Sequence, residues 1–370
     1  GGKFADSFVA EQLDKISVSF LADDLQIRRG GVGGNICYAM GQLGGAPVLV
    51  GAVGSDFHDY RKWLEANGVD CRGVRVSETH HTARFMCTTD ETMAQLATFY
   101  AGAMSESREI VLSEVIAEVG APDLVLIGAD DPAGMIRHTE ECRAAGIPFA
   151  ADPSQQLARL NGEEARALVE GAKFLFTNEY EWNLLQQKTG VSAERLTAMV
   201  EVRVTTLAEK GAEIVVNGAE GVAQRIHVDV VPDRGRVDPT GVGDAFRAGF
   251  LVGLDAGLSY ERSGQLGSYV AVKVLETVGP QAWDYDAEDA RGFEDGRGPA
   301  WLGGGRTPGA PLPPFLKGPA RGRGGQGGPR SPRHARGPGA SAALQADRAG
   351  GRASLRASGP PLARPECPRP

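Results

Sequence analysis

Short apolar runs alternate with helical patterns from about Val48 to Val274, and this alternation restricts how the chain can fold. It is typical of a mostly parallel sheet with helices on both faces. Five runs are predicted to be strands. They are Val48–Ala52, Leu124–Gly128, Ile147–Ala151, Phe174–Thr177 and Val202–Thr206. The sequence therefore predicts an α/β fold.

Two segments interrupt this order with strand-like rather than helical patterns. The first is Lys15–Phe20, and the second is Thr82–Thr88 followed by Met93–Tyr100. Alternating apolar and polar residues of this kind favour a small accessory sheet. We expect its strands within about 4–29 and 81–100, placed as a lid over the ligand-binding edge of the main sheet.

Charge is distributed unevenly along the chain. Residues 1–290 contain 25 Lys and Arg against 43 Asp and Glu, which argues against nucleic acid as a partner because phosphate backbones select basic faces. The five cysteines are widely spaced and lack a C-x-x-C pair, as expected in a reducing compartment. No apolar run approaches the roughly 18 residues of a membrane span. We expect a cytoplasmic protein with a small-molecule ligand and no membrane partner.

Residues 291–370 differ in composition from the rest of the chain. They contain 18 Gly and 14 Pro, and 13 Arg accompany a single Lys. Such a segment buries too little apolar area to offset its ordering entropy, so we predict a folded domain over 1–290 and a disordered tail after it. Translation of a GC-rich gene out of frame gives the same Arg/Gly/Pro bias, and we favour that origin over a functional basic tail.

The strongest chemical motif is Asp238–Phe246, which reads Asp-Pro-Thr-Gly-Val-Gly-Asp-Ala-Phe and leads into an apolar helix over Ala248–Leu254. Two glycines allow a tight turn whose N–H groups converge at a helix N-terminus, where the helix dipole favours an anion. Asp244 in the first helical turn could accept a proton from a hydroxyl that attacks a phosphoryl group there. The alternative is an ordinary acidic residue favoured by the helix dipole.

Two further motifs carry polar groups at the starts of helices. Gly30–Asn35 is a glycine-rich run that opens a helix, and Asn35 could bind a sugar hydroxyl or cap the helix. Asn178–Glu181 follows a predicted strand, at the sheet edge where α/β proteins bind ligands. Asn178 and Glu181 could also form a capping box, and both roles can hold together.

In this order and spacing, the three motifs resemble those of the PfkB carbohydrate kinases, which have the ribokinase fold. The resemblance covers nearly all of residues 4–290. Asp130–Pro132, Asp152–Arg159 and His81–Phe85 resemble the adenosine kinases of actinobacteria. The resemblance implies transfer of phosphate from ATP to the 5′-hydroxyl of adenosine, as in purine salvage, with Mg²⁺ as cofactor. A kinase of another sugar or ribosyl nucleoside is the alternative within the same class.

Site residues follow from the resemblance position by position. It implies Asp244 as the base and Gly241, Val242 and Gly243 as the anion hole. It implies contacts to ATP or its Mg²⁺-bound phosphates from Asn178, Glu181 and Thr206. It implies nucleoside contacts from Ser19, Gly31, Asn35, Phe85, Phe99, Gln155, Gln156 and Arg159. Phenyl faces can stack on a purine, although without the resemblance packing on a strand face is the favoured explanation for Phe85 and Phe99.

Asp238 and Thr240 match positions that hold a monovalent cation, such as K⁺, in ribokinase-like enzymes, and Thr277–Gly279 resembles the second half of that site. A solvated turn is the alternative for Asp238. The lid strands are too few to be stable alone, so we expect a homodimer joined lid to lid, with Phe20 and Phe85 covered.

The sequence also departs from the family pattern. Family members begin with a strand that ends in a sugar-binding Asp, and this chain has no residue to match it. Ala208 stands where the family usually has Gly. A missing strand leaves apolar surface and a sheet edge open, so we expect an N-terminally truncated kinase domain. A catalytically dead nucleoside-binding fragment is the alternative from a different functional class.

Overall fold

The computed structural model describes residues 22–92, 94–218 and 221–285. None of the helices in these ranges has the length and apolar character needed to cross a membrane. The helices are α1 (Val32–Gln42), α2 (His58–Ala66), α3 (Leu112–Val119), α4 (Pro132–Ala145), α5 (Gly162–Val169), α6 (Glu179–Thr189), α7 (Ala193–Thr197), α8 (Val242–Asp255) and α9 (Tyr260–Leu275). The strands are β1 (Gly51–Val53), β2 (Val74–Val76), β3 (Arg84–Thr89), β4 (Gln95–Tyr100), β5 (Val125–Ile127), β6 (Phe149–Ala151), β7 (Phe174–Asn178), β8 (Val202–Thr206), β9 (Ala212–Gly218) and β10 (Gly221–Val228).

Six strands form the main sheet in the order β10-β9-β8-β7-β6-β5. Strands β5 to β8 run parallel, whereas β9 and β10 are antiparallel to their neighbours. The pairing of Asn178 with Thr206 brings the carboxyl ends of β7 and β8 side by side. The α/β class and the mostly parallel sheet are therefore confirmed.

Apolar residues on β7 alternate between the two faces of the sheet. Phe174 and Phe176 pack with Phe250 of α8 on one face. Leu175 packs with Leu168 of α5 and Leu185 of α6 on the other face. Strands that are buried on both faces are apolar throughout, which is why this run was recognisable in the sequence. The layer that contains α8 is thereby fixed against the sheet.

Several predicted boundaries are displaced in the structure. The strand predicted at Val48–Ala52 begins at Gly51, and Val48 makes only an isolated bridge to Asp70. The helix predicted after Asn35 already begins at Val32, because the glycine run supplies its first turn. The β9–β10 hairpin was not among the predicted strands.

The predicted single sheet is divided in the structure. Strand β1 pairs only with β2, in a separate two-stranded parallel sheet. A cavity of about 970 Å³ is bordered by 48–50, which precede β1, and by 124–128, which include β5. Within the described ranges, the edge of β5 that faces away from β6 therefore has no strand partner.

The accessory sheet consists of the antiparallel hairpin β3–β4. Every residue of both strands is exposed. The predicted strand Lys15–Phe20 lies outside the described residues, and 22–31 contain no strand. The small antiparallel sheet is confirmed for its second segment only. The tail predicted over 291–370 also lies outside the described residues.

Candidate active site

Helix α8 begins at the glycine turn of the strongest sequence motif. Gly241 is its N-cap, with a left-handed φ of +80°. A Cβ at Gly241 would lie 2.5 Å from the Cβ of Pro280, so both the conformation and the space require glycine. An N-cap glycine offers no side chain to the first helical N–H groups, and the N–H of Val242 makes only a long hydrogen bond of 3.4 Å to the carbonyl oxygen of Pro239.

Asp244 lies in the first turn of α8, beside these N–H groups. Its Oδ2 accepts a hydrogen bond of 2.9 Å from Nδ2 of Asn35 on α1. Burial raises the pKa of Asp244 above its ordinary value, while Arg247 and the hydrogen bond from Asn35 oppose the increase. A carboxylate with a raised pKa is a stronger base than an exposed one.

Arg247 forms a buried ion pair with Asp152 directly behind the glycine turn. Its Nη2 donates to Oδ1 of Asp152 at 2.7 Å, and its Nε lies 2.6 Å from Oδ2 at an angle that excludes a hydrogen bond. Asp152 is fully buried at the end of β6, and this burial raises its pKa to about 6 despite the guanidinium. A Cβ at Gly243 would lie 2.7 Å from the Arg247 guanidinium, so this cation lies against the turn.

Asn178 and Glu181 form a capping box at the start of α6. The Glu181 N–H donates to Oδ1 of Asn178, and the Asn178 N–H donates to Oε2 of Glu181, both at 2.8 Å. Glu181 is buried, and Thr206 is half-buried on the neighbouring strand. The capping role predicted for this pair is observed.

Asp238 connects the glycine turn to the segment after α9. Its Oδ1 accepts from the N–H of Thr240 at 2.9 Å, and its Oδ2 accepts from the N–H of Gly279 at 3.0 Å. Burial raises the pKa of Asp238, but these hydrogen bonds outweigh burial and lower it overall. The carboxylate is therefore kept ionised at neutral pH, as a cation ligand must be.

Gly31 and Asn35 lie at and just after the start of α1. Gly31 is the N-cap at φ +92°, with open space where a Cβ would be. Asn35 is buried, and its amide engages Asp244 on one side and Gln281 on the other. Of the two roles considered for Asn35, the cap belongs to Gly31, and the side chain of Asn35 is directed to Asp244 instead.

The residues predicted for the nucleoside lie in two places. Phe85 and Phe99 are directly paired across the hairpin and exposed. Gln155, Gln156 and Arg159 lie in or next to a 3₁₀ turn over Ser154–Ala158, which follows Asp152. Gln156 is buried, and its Oε1 has no hydrogen-bond partner in the described part of the chain. Ser19 lies outside that part.

Sequence reasoning missed three contributors to this site: Arg247, Gln281 and Trp63. Arg247 left a detectable signal, since it is the single charge within the apolar run Ala245–Leu254. Trp63 is distant in sequence from every motif, and Gln281 follows Thr277–Gly279 by two residues without belonging to it, so neither left a signal. Their contacts are described below.

A comparison with known families identifies the class of protein that this fold and site define. The model of the pfkB family of carbohydrate kinases matches residues 7–287. The chain belongs to the PfkB family and is a kinase with a ribokinase-like fold.

Within this family, the chain is similar to several nucleoside kinases. A nucleoside kinase of Methanothermobacter thermautotrophicus is 30% identical over 261 residues, covering 68% of this chain and 80% of the relative. The solved structure of Burkholderia thailandensis nucleoside kinase in complex with inosine is 33% identical, with a TM-score of 0.66, over 72% of this chain and 87% of that one. The same enzyme in complex with ADP-inosine has a TM-score of 0.64, over 77% of this chain and 86% of that one.

Proposed function

We propose that this chain transfers the γ-phosphoryl group of ATP to the 5′-hydroxyl of a purine nucleoside, with adenosine as the first candidate. One observation carries the proposal. A buried carboxylate, Asp244, lies in the first turn of a helix whose N-cap is a glycine with a left-handed backbone. A base beside an anion-binding helix N-terminus is what phosphoryl transfer to an alcohol requires.

Asp244 accepts the proton of the 5′-hydroxyl as its oxygen forms a bond to the γ-phosphorus. The bond from that phosphorus to the β–γ bridging oxygen breaks, and ADP leaves. The N–H groups of Gly241, Val242 and Gly243 hold the phosphoryl oxygens. Arg247, which is ion-paired with the Asp152 carboxylate at 2.6 Å, adds a fixed positive group behind the turn.

Purine nucleosides are favoured by the aromatic pair on the hairpin and by the 3₁₀ turn. Phe85 and Phe99 lie side by side on one face of β3–β4, where their rings could cover a base. The free Oε1 of buried Gln156 could accept a hydrogen bond from the base edge. The B. thailandensis relative was solved with inosine, so inosine is the second candidate.

Two cations fit residues at this site. Mg²⁺ usually keeps several waters and needs only one or two carboxylates besides phosphate, so Glu181 with Asn178 could orient it. K⁺ could be held by the ionised Asp238 with oxygens near Thr240 and Gly279. Bound Mg²⁺ would offset phosphate charge during transfer, and K⁺ would stiffen the glycine turn.

A homodimer through the hairpin is part of the proposal, and the hairpin register suggests which face it uses. Met86, Leu96 and Tyr100 lie on the face opposite Phe85 and Phe99, and all five side chains are exposed. One face could therefore cover the nucleoside while the other meets a second copy, so we now expect the partner to cover Met86 rather than Phe85. We expect light scattering to show a dimer that Met86→Asp, but not Phe85→Ala, converts to monomer. A monomer at tens of micromolar wild-type chain would contradict this.

The function is tested by incubating the full chain with ATP, Mg²⁺ and adenosine, inosine, uridine or ribose in parallel, and measuring ADP together with the phosphorylated product. We expect turnover with adenosine and inosine well above that with ribose. Turnover of ribose alone would favour the sugar kinase. Calorimetric binding of adenosine without any turnover would favour the nucleoside-binding fragment and end the proposal of catalysis.

A further inference from the structure

A chain of side-chain hydrogen bonds leads away from Asp244 to residues that the reaction itself does not use. Nδ2 of Asn35 donates to Asp244, and Oδ1 of Asn35 accepts from Nε2 of Gln281 at 3.0 Å. Oε1 of Gln281 in turn accepts from Nε1 of Trp63 on α2 at 3.2 Å. Asn35 and Gln281 are both buried. The chain thus connects α8, α1, the segment after α9, and α2.

The indole of Trp63, at the far end of this hydrogen-bond chain, favours one direction for every bond in it. An indole N–H can only donate, so the group of Gln281 that faces Trp63 must be the amide oxygen. The amide nitrogen of Gln281 must then face Asn35, and the group of Asn35 that receives it must be its oxygen. The nitrogen of Asn35 is left facing Asp244. Since an amide can otherwise be turned over at little cost in shape, the indole N–H of Trp63 helps to select this orientation.

The same nitrogen of Gln281 makes a second hydrogen bond, which provides an internal comparison. It donates to the hydroxyl of Tyr60, and that hydroxyl donates to the carbonyl oxygen of Gly30 at 3.0 Å. Removing the Tyr60 hydroxyl would take one partner from Gln281. It would leave in place the three hydrogen bonds that run from Trp63 through Gln281 and Asn35 to Asp244.

We propose that Gln281 and Trp63 are positioning residues that orient the Asn35 amide so that it donates to Asp244, and thereby hold the base in its ionised form. This inference rests on the proposed function for its effect on catalysis, although the orientation itself can be tested without turnover. Neither residue belongs to a motif in the sequence. Both act through Asn35 and need not touch a substrate.

Other charged groups act on Asp244 and must stay unchanged in any test. Arg247 lies one turn further along α8 and favours the ionised carboxylate, whereas Glu181 at the start of α6 disfavours it. Asp152 at the end of β6 also interacts with Asp244 through charge. None of these three contacts Gln281 or Trp63 through the hydrogen bonds described above, so substitutions at 281 and 63 leave them in place.

The test uses three variants of the full chain: Trp63→Phe, Gln281→Glu and the matched control Tyr60→Phe. Trp63→Phe keeps an aromatic ring and removes the indole donor to Gln281. Gln281→Glu replaces the donor to Asn35 with an acceptor, so that the Asn35 amide turns its oxygen toward Asp244. The pKa of Asp244 is read by carboxyl ¹³C NMR, with the Asp244→Asn spectrum identifying its signal. The acid limb of kcat against pH is measured in parallel.

We expect the pKa of Asp244, and with it the acid limb, to rise by about half to one pH unit in Trp63→Phe, the size expected for one hydrogen bond to a carboxylate. A larger rise is expected in Gln281→Glu, which also adds a charge, and none in Tyr60→Phe. Thermal melting will fall in all three variants and so does not discriminate. Equal shifts in all three, or no shift in Trp63→Phe, would overturn the inference. An NMR shift in a chain without kinase activity would uphold the orientation and reject the proposed function instead.

Discussion

The start of α8 and the β3–β4 hairpin both carry residues predicted to act on the substrate, but the protein supports them very differently. Asp244, Asn35 and Arg247 are held by hydrogen bonds and charges from at least four separate elements. Phe85 and Phe99 are 68% and 51% exposed on a hairpin whose residues are all exposed. Among the residues that the structure describes, one region is supported from several elements and the other is left exposed.

This difference has a physical cause. A charge can be buried only if other groups compensate for lost hydration, so the base requires its supporting network before any ligand arrives. Aromatic rings need no such network and can stay exposed until a ligand covers them. We therefore expect substitutions at α8 to affect rate and stability strongly, and substitutions on the hairpin to affect mainly substrate binding.

The largest effect is expected from Asp244→Asn, which keeps the shape of the side chain and removes the base. We expect kcat to fall by ~10²–10⁴, with ATP affinity changed little, because only proton transfer is lost. Steady-state kinetics and calorimetric ATP binding provide the measurements. Asp255→Asn, at the last residue of the same helix, is the control and should leave kcat within about twofold. An unchanged kcat in Asp244→Asn would rule out Asp244 as the base.

The second effect concerns stability at the same site. Arg247→Leu leaves Asp152 buried without its cation, and breaking a buried pair in this way costs about 3–5 kcal/mol. Urea denaturation at pH 7 measures the loss. Arg166→Leu breaks an exposed pair with Glu170 on α5 and should cost less than about 1 kcal/mol. Similar losses for the two variants would mean that the α8 region is less tightly coupled than its contacts indicate.

A smaller, different effect is expected on the hairpin. Phe85→Ala and Phe99→Ala should each raise KM for the nucleoside by about 5- to 100-fold, since stacking of a base on an aromatic ring contributes roughly 1–3 kcal/mol. The urea midpoint should stay unchanged, because both rings are exposed. Thr88→Ala on the opposite face is the control for the hairpin itself. A loss of stability without any change in KM would assign the rings to packing.

The smallest effect is expected at Ala208, between β8 and β9. Its φ is +52°, a left-handed conformation that costs a residue with a Cβ about 1–2 kcal/mol. Ala208→Gly should raise the free energy of unfolding by about 0.5 kcal/mol, after the greater freedom of glycine in the unfolded chain is subtracted. Ala145→Gly, at an exposed position in the last turn of α4, should lower it by about 0.5–1 kcal/mol. A loss of stability in Ala208→Gly would show that the strain is absent.

The sequence alone was sufficient for the α/β class and for the local motifs. Runs such as Phe174–Thr177 are buried on both faces of the sheet, and a strand of this kind can be recognised because its residues are mostly apolar. The glycine turn before Asp244 and the capping box at Asn178 were also predictable, because each depends on residues within one helical turn. Ala208 was noted as a departure from the family, and its positive φ gives the physical reason for glycine there.

Only the tertiary structure decided how these motifs are connected. The separation of β1 from β5, the pairing of Arg247 with Asp152, and the contacts of Gln281 all join residues far apart in the chain. Polar residues such as Gln281 and Trp63 carry no pattern that distinguishes a buried contact from a solvated one, because either environment can satisfy their hydrogen bonds. The sequence determined which groups can do chemistry, and the long-range contacts determined which of them are held in position to do it.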